Sequence, residues 1–300
     1  MPLDRAQGRA LDAPSIDDLH FADLLALEPH GADTFVGIAP RYPWGRLFGG
    51  QVVAQALTAA QRTVAPEFTV HSLHAYFLRG GQPGEPVRLE VDRLRNGRSF
   101  ATRQVTARQS SGAILGLAAS FQVAETEADV QPMPAPVDLP PPEEGEPTGW
   151  GGLMERRVVR TEFARTVTWL RLNRRADLPP SENPVDAHRH AIAGLAFLSD
   201  GVPTGAVRAA HPIQVPRAQI RETFVGASLD HTVYVHRPVD PYGWLVADMR
   251  CHDLVGGRGV SIGNLYDAEG THALTIVQEV LLRERRAPSG GEAGLGGKES

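Results

Sequence analysis

Two stretches of this 300-residue chain are imperfect copies of one another, which limits it to folds in which one unit can be doubled. The first runs from Ser72 to Gln122: an opening strand ending LHAYFLR, a strand LEVDRLRNGRS, and a hairpin closing in ILGLAASF. The second runs from Ser228 to Leu282, with HTVYVHR, LVADMRCHDLVGGRG and ALTIVQEVLL in the same order. Arg79 aligns with Arg237, Gly97-Arg98 with Gly257-Arg258, and Gly112 with Gly270, at separations of 158, 160 and 158 residues. Three landmarks in order are harder to obtain by chance than one matching strand, and the length suits two similar units. In this alignment Ser120 stands where the second copy has Gln278.

Composition removes several kinds of chemistry. A net charge of -5 offers no broad cationic surface to nucleic acid, and no apolar run approaches the ~20 residues of a membrane span. The start MPLDRAQGRALDAPSIDD lacks a basic-then-apolar leader pattern, and the final KES is no retention or peroxisomal address, so a cytoplasmic location is expected. Cys251 is the only cysteine, which excludes intrachain disulfides and multi-cysteine zinc sites. It shares a face of LVADMRC with Leu245, Ala247 and Met249, the pattern of a buried structural thiol. Lys298 is the only lysine and lies in a Gly-rich tail, which argues against Schiff-base, pyridoxal and P-loop chemistry. No cofactor is expected.

The pattern along the chain divides it into five segments: an arm (1–18), a first domain (19–125), a linker (126–150), a second domain (151–286) and a disordered tail (287–300). In the first domain Val52, Val53, Ala56, Leu57 and Ala60 recur at helical spacing; a stripe this small suits a buried helix wrapped by a curved sheet. Gln131 to Gly149 holds seven prolines, incompatible with a helix or central strand. In the second domain Asn183-Pro184 reads as an N-cap with proline at the first helical position. The helix VDAHRHAIAGLAFLSD that follows is apolar nearly all round at its end. Each half is thus a leading strand, a buried helix and a run of antiparallel strands. The expected class is α+β, a double hotdog with two antiparallel sheets each wrapped around a central helix.

Two motifs are decoys. Gly259-Val260-Ser261-Ile262-Gly263 matches the serine-hydrolase elbow, but it runs into a strand end and a turn rather than a helix, and Asp267 and His272 lie in or beside the same hairpin. His188 and His190 are two apart and face different sides of a helix, and no H-E-x-x-H is present, so no metal is expected. Three polar residues instead stand out by context. Gln278 shares a strand face with Leu274, Ile276 and Val280, where an unbonded amide costs ~1–3 kcal/mol. Asp200 ends a buried helix, the wrong end for its dipole. Ser228 precedes LDHTVYVHR, where Asp230 or His231 are alternatives to it.

Leu47-Phe48-Gly49-Gly50-Gln51-Val52-Val53-Ala54-Gln55-Ala56, Ser228-Leu229-Asp230-His231, His236-Arg237-Pro238, Gly256-Gly257-Arg258-Gly259 and Val277-Gln278-Glu279 together resemble the acyl-CoA thioesterase II family of double hotdogs, over most of residues 20 to 284. The resemblance implies hydrolysis of acyl-CoA to fatty acid and CoA by an activated water, with Asp200, Ser228 and Gln278 converging to hold that water. One departure is local: Gly201 to Val207 carries a glycine and a proline where relatives often continue with bulkier apolar residues, which bears on acyl-chain preference. The oxyanion is expected at backbone N–H groups of Gly49 and Gly50 or at the second helix's start, and Arg258 or Arg98 at the CoA phosphates. The rival readings are a hotdog hydratase or dehydratase using Asp230-His231, and a non-catalytic acyl-CoA binder. Hotdog sheets associate, so a homo-oligomer is expected. One water-activating site per chain is expected, built mainly by the second copy.

Overall fold

The structure, a computed structural model, describes residues 13–148, 152–173 and 182–285. In the first half, helix α1 (Phe21–Leu25) and strands β1 (Glu28–Pro29) and β2 (Thr34–Gly37) precede the long helix α2 (Gly49–Gln61). Strands β3 (Phe68–Phe77), β4 (Val87–Asn96), β5 (Phe100–Gln109) and β6 (Gly112–Val123) follow. The second half begins with β7 (Glu146–Pro147), β8 (Met154–Glu162) and β9 (Arg165–Leu172), then helices α3 (Pro184–Ser199), α4 (Pro203–Ala210) and α5 (Ile220–Thr223). It ends in β10 (Phe224–Ser228), β11 (Asp230–Val235), β12 (Leu245–Val255), β13 (Arg258–Asp267) and β14 (His272–Glu284). No described helix is long and apolar enough to cross a membrane.

The fold is α+β, and the two expected antiparallel sheets are joined into one large sheet. Its order is β1-β2-β4-β5-β6-β3-β11-β14-β13-β12-β9-β8-β7, with β10 also on β14. The halves merge because β3 and β11 pair directly, from Asp230 opposite Tyr76 to Tyr234 opposite Ser72. Side chains alternate across this sheet, and Leu73, Ala75, His231 and Val233 all point to the helical side. The helices are unequally placed. α2 lies on β3 to β6, whereas α3 packs chiefly on α2 and touches the sheet mainly at β9.

Local chemistry sets these elements. Every residue of α2 from Gly50 to Leu57 is buried, so its polar members must find partners. Gln51 donates to Ile38 O at 3.0 Å, and Gln55 to Leu24 O at 3.1 Å and Ile38 O at 3.0 Å, tying the N-terminal segment onto the helix. α3 starts as its sequence requires: Asn183 accepts from Val185 N–H, and Pro184 occupies the first turn. Of the stretch expected as an arm, residues 1–12 lie outside the described residues, while Ile16 is fully buried and Ser15 bridges Arg41. The expected tail also lies outside the described residues. Cys251 is half-buried, and burial raises its pKa.

Strand registers shift the correspondence between the copies by one residue. Ser120 is on the outer face of β6, bonded to His71 Nε2 at 2.9 Å. Its core-facing neighbour Ala119 pairs with Leu73 and Arg103, as Gln278 pairs with Ser261 across β13. Ala119 therefore occupies the counterpart of Gln278, and buried Arg103 the counterpart of Ser261. Arg103 donates to Thr63 Oγ1, Thr63 O, Arg95 O, Thr102 O and Asn96 Oδ1, all within 2.7–2.9 Å. Thr63 follows α2, so the cation rests at that helix's negative end.

The elbow-like motif lies wholly inside β13. Gly259, Ser261 and Gly263 face the core there, and a Cβ on Gly263 would overlap Asp248 O and the Met249 sulfur. Gly263→Ala is expected to cost about 1–3 kcal/mol by overpacking, read as a lower urea midpoint at unchanged m-value.

Candidate functional site

Asp200 caps the C-terminus of α3, where the helix's own dipole disfavours a carboxylate. The first turn of α2 compensates. Gly50 N–H donates to Asp200 Oδ2 at 2.8 Å, bringing a helix N-terminus to the acid across 150 positions of sequence. Only glycine permits this approach, because a Cβ on Gly50 would overlap Phe197 O of α3.

The structure brings the three predicted polar residues into one hydrogen-bonded chain. Ser228 Oγ donates to Asp200 Oδ1 at 2.9 Å, and Gln278 Nε2 donates to Ser228 Oγ at 2.7 Å. Gln278 is fully buried on β14, Ser228 ends β10, and β10 pairs with β14 so that Ser228 stands opposite Val280.

Two further residues extend the chain. His231 Nδ1 lies 2.6 Å from Gln278 Oε1, and His231 Nε2 lies 2.7 Å from Ser199 Oγ; both residues are fully buried. A carboxamide oxygen only accepts, so Nδ1 carries the proton. Ser199 Oγ stands between Nε2 and Ala196 O, at 2.7 and 2.9 Å, and its one proton serves one of these two acceptors at a time. Burial lowers the His231 pKa, only partly offset by the Asp200 charge, the bond to Gln278 and the Asp230 charge, and so favours the neutral ring. From His231 onward the protons point the same way: His231 to Gln278, Gln278 to Ser228, Ser228 to Asp200. Histidine and glutamine thus fix which end of the Gln278 amide faces Ser228. Ser261 Oγ, buried opposite Gln278, has no hydrogen-bond partner among the described residues.

The other expected residues fare differently. Gly50 holds the acid, so its N–H is committed. Arg258 lies on the outer face of β13, 53% exposed at its side chain and 3.2 Å from Glu279, away from the core-facing Gln278. Asp230 Oδ1 accepts from Glu279 N–H, and His231 has both nitrogens engaged, so the pair expected of a hydratase does not form an accessible acid–base couple. Ser199 carried no sequence signal beyond helical spacing. A cavity of about 730 Å³ lined by His71, His188, His236 and His272 lies at the start of α3, the opposite end from Asp200, and takes none of these residues. No cluster of three or more metal-ligating side chains occurs among the described residues.

Burial lowers the pKa of His71, His188, His190, His231, His236 and His272 below the usual value of 6.5. The unfolded chain therefore binds more protons as pH falls through 6.5, and the stability of the neutral-histidine fold is lost from there downward. The urea midpoint is expected to drop between pH 7.5 and 5.5, with a shallower slope in His231→Asn, which cannot titrate.

Comparison with known proteins identifies the family. Residues 38–122 match the profile of the acyl-CoA thioesterase N-terminal domain, and residues 127–282 that of the acyl-CoA thioesterase C-terminal domain. Acyl-coenzyme A thioesterase 8 of Homo sapiens is 31% identical over 295 residues, covering 87% of this chain and 88% of that protein. The crystal structure of acyl-CoA thioesterase II TesB2 from Mycobacterium marinum superposes with a TM-score of 0.74 at 32% identity, over 90% of this chain and 100% of that one. A hot dog fold protein of Alicyclobacillus acidocaldarius, at 23% identity, shares the fold with a TM-score of 0.67 over 90% of this chain and 99% of its own. With both domain profiles matched in order, this chain belongs to the acyl-CoA thioesterase family.

Proposed function

We propose that the protein hydrolyses acyl-CoA thioesters with a water held by Asp200, Ser228 and Gln278. Family membership makes it a thioester hydrolase acting on acyl-CoA. The observation that supports the site is the unbroken chain of hydrogen bonds from His231 to Asp200. The same reading takes residues 19–125 and 151–286 as two hotdog units around α2 and α3.

Each carboxylate oxygen of Asp200 accepts one protein hydrogen bond and keeps a second lone-pair direction. Asp200 takes a proton from the water while Ser228 and Gln278 fix its line of attack. The water oxygen bonds to the thioester carbon, and the carbonyl oxygen becomes an oxyanion. With Gly50 committed, Gly49 N–H at the start of α2 is the donor assigned to that oxyanion. Collapse breaks the carbon–sulfur bond, and the thiolate recovers the proton from Asp200, giving the acid and CoA thiol. A thioester needs no covalent nucleophile for this.

CoA release from a panel of acyl-CoAs, followed with a thiol reagent, checks the reading. Asp200→Asn is expected to lower kcat by ~10²–10⁴-fold, the usual worth of a general base, and Gln278→Ala by ~10²-fold. No turnover of any acyl-CoA by the wild type, or full activity in Asp200→Asn, sinks it. His231 is a positioning residue that turns Gln278, so His231→Ala should lower kcat alone but add little in a Gln278→Ala background.

A further inference from the structure

Many surface arginines of this acidic chain are matched by acids: Arg93 with Asp33, Arg165 with Asp248, Arg171 with Glu155, Arg258 with Glu279. Arg46, Arg156, Arg208, Arg217 and Arg221 differ. None of the five has an ion pair within 4.0 Å among the described residues. Arg156, Arg208, Arg217 and Arg221 nevertheless stand close together. Arg156 and Arg217 donate to the same carbonyl, Thr148 O. The charges of Arg217 and Arg208 act on Arg156, that of Arg217 on Arg208, and that of Arg221 on Arg217.

The strip touches the candidate site at both ends. Arg156 donates to Gly201 O, the residue after Asp200. Arg46 donates to Gly226 O at 3.1 Å, two residues before Ser228, and itself precedes Gly49 by three. Arg221 lies over the Trp44 ring at 5.8 Å, beside Arg46 in sequence. Arg46, Arg217 and Arg221 are exposed, whereas Arg156 and Arg208 are half-buried, so the strip runs from open surface inward.

Like charges gathered and partly desolvated repel one another, and the nearby Glu146 attracts Arg208 and Arg217 without pairing with either. Burial, followed by the charges of Arg217 and Arg208, lowers Arg156 to about 10, which leaves it cationic at neutral pH. Such a cluster is relieved by an anion, and guanidinium forks match phosphate oxygens bidentately. The strip borders both Asp200 and Ser228 through the backbone, at Gly201 O and Gly226 O.

We propose that this arginine strip binds the phosphate groups of the CoA moiety, an assignment that rests on the thioesterase reading above. The test compares an acyl-CoA with the N-acetylcysteamine thioester of the same acyl group, which lacks every phosphate. Arg208→Gln and Arg217→Gln, singly and together, are made; Arg156 is left intact because it holds Gly201 O beside Asp200, and it keeps Thr148 O bonded when Arg217 is replaced. The ratio of KM for the CoA ester to KM for the N-acetylcysteamine ester is expected to rise about tenfold per substitution, the scale of one charge-assisted hydrogen bond. In the unaltered enzyme, inorganic pyrophosphate should raise KM for the CoA ester alone. An unchanged ratio, or pyrophosphate acting equally on both esters, overturns the strip while leaving the hydrolytic reading in place. A wild type that cleaves neither ester overturns that reading and the strip with it.

Discussion

A carboxylate at the C-terminus of a buried helix is tolerable only if something positive meets it, and here that is the N-terminus of another helix. The bond from Gly50 N–H to Asp200 Oδ2 requires α2 and α3 to lie antiparallel and side by side, the start of one at the end of the other, with backbone close to backbone. That approach requires the two halves to be registered, which the β3–β11 pairing supplies. The small residues of α2, its buried glutamines and the seam between the halves thus serve one geometry, in which the first copy completes the electrostatics of the second.

The same logic explains why the copies diverged. In the second copy a polar series ends on an acid held by the other copy's helix. In the first copy the corresponding interior positions hold Ala119, Leu73 and Arg103, and the guanidinium satisfies its donors on neutral oxygens near the end of α2. A buried cation at a helix C-terminus and a buried anion at a helix N-terminus are both favourable, so each copy solved its own polar interior in opposite sign.

Much of this was legible in the sequence. Alternation placed Gln278 on a core face, helical spacing placed Asp200 at a helix end, and Asn183-Pro184 marked a helix start that the structure reproduces. What failed was register. Repeat offsets counted along the chain aligned Ser120 with Gln278, but turns of unequal length put Ser120 on the other face, and only strand pairing reveals Ala119. That the sheets of a doubled unit can join was foreseeable, but nothing in the sequence states which edge strands meet. Ser199 and the role of His231 were missed for a related reason: their partners come from other elements, and a hydrogen bond between distant segments leaves no local period.

The held carboxylate also has a meaning for the life of the chain before it is complete. The acid arrives 150 residues after the N–H that orients it, and the glutamine that closes the polar series comes later still. A chain synthesised in order presents Gly50 N–H well before the acid it will meet, and the acid in turn finds its helix N-terminus only in the other half. The polar series around Asp200 is therefore complete only when residues of both halves are in place, and a chain that stops short of Gln278 lacks the member that bonds Ser228.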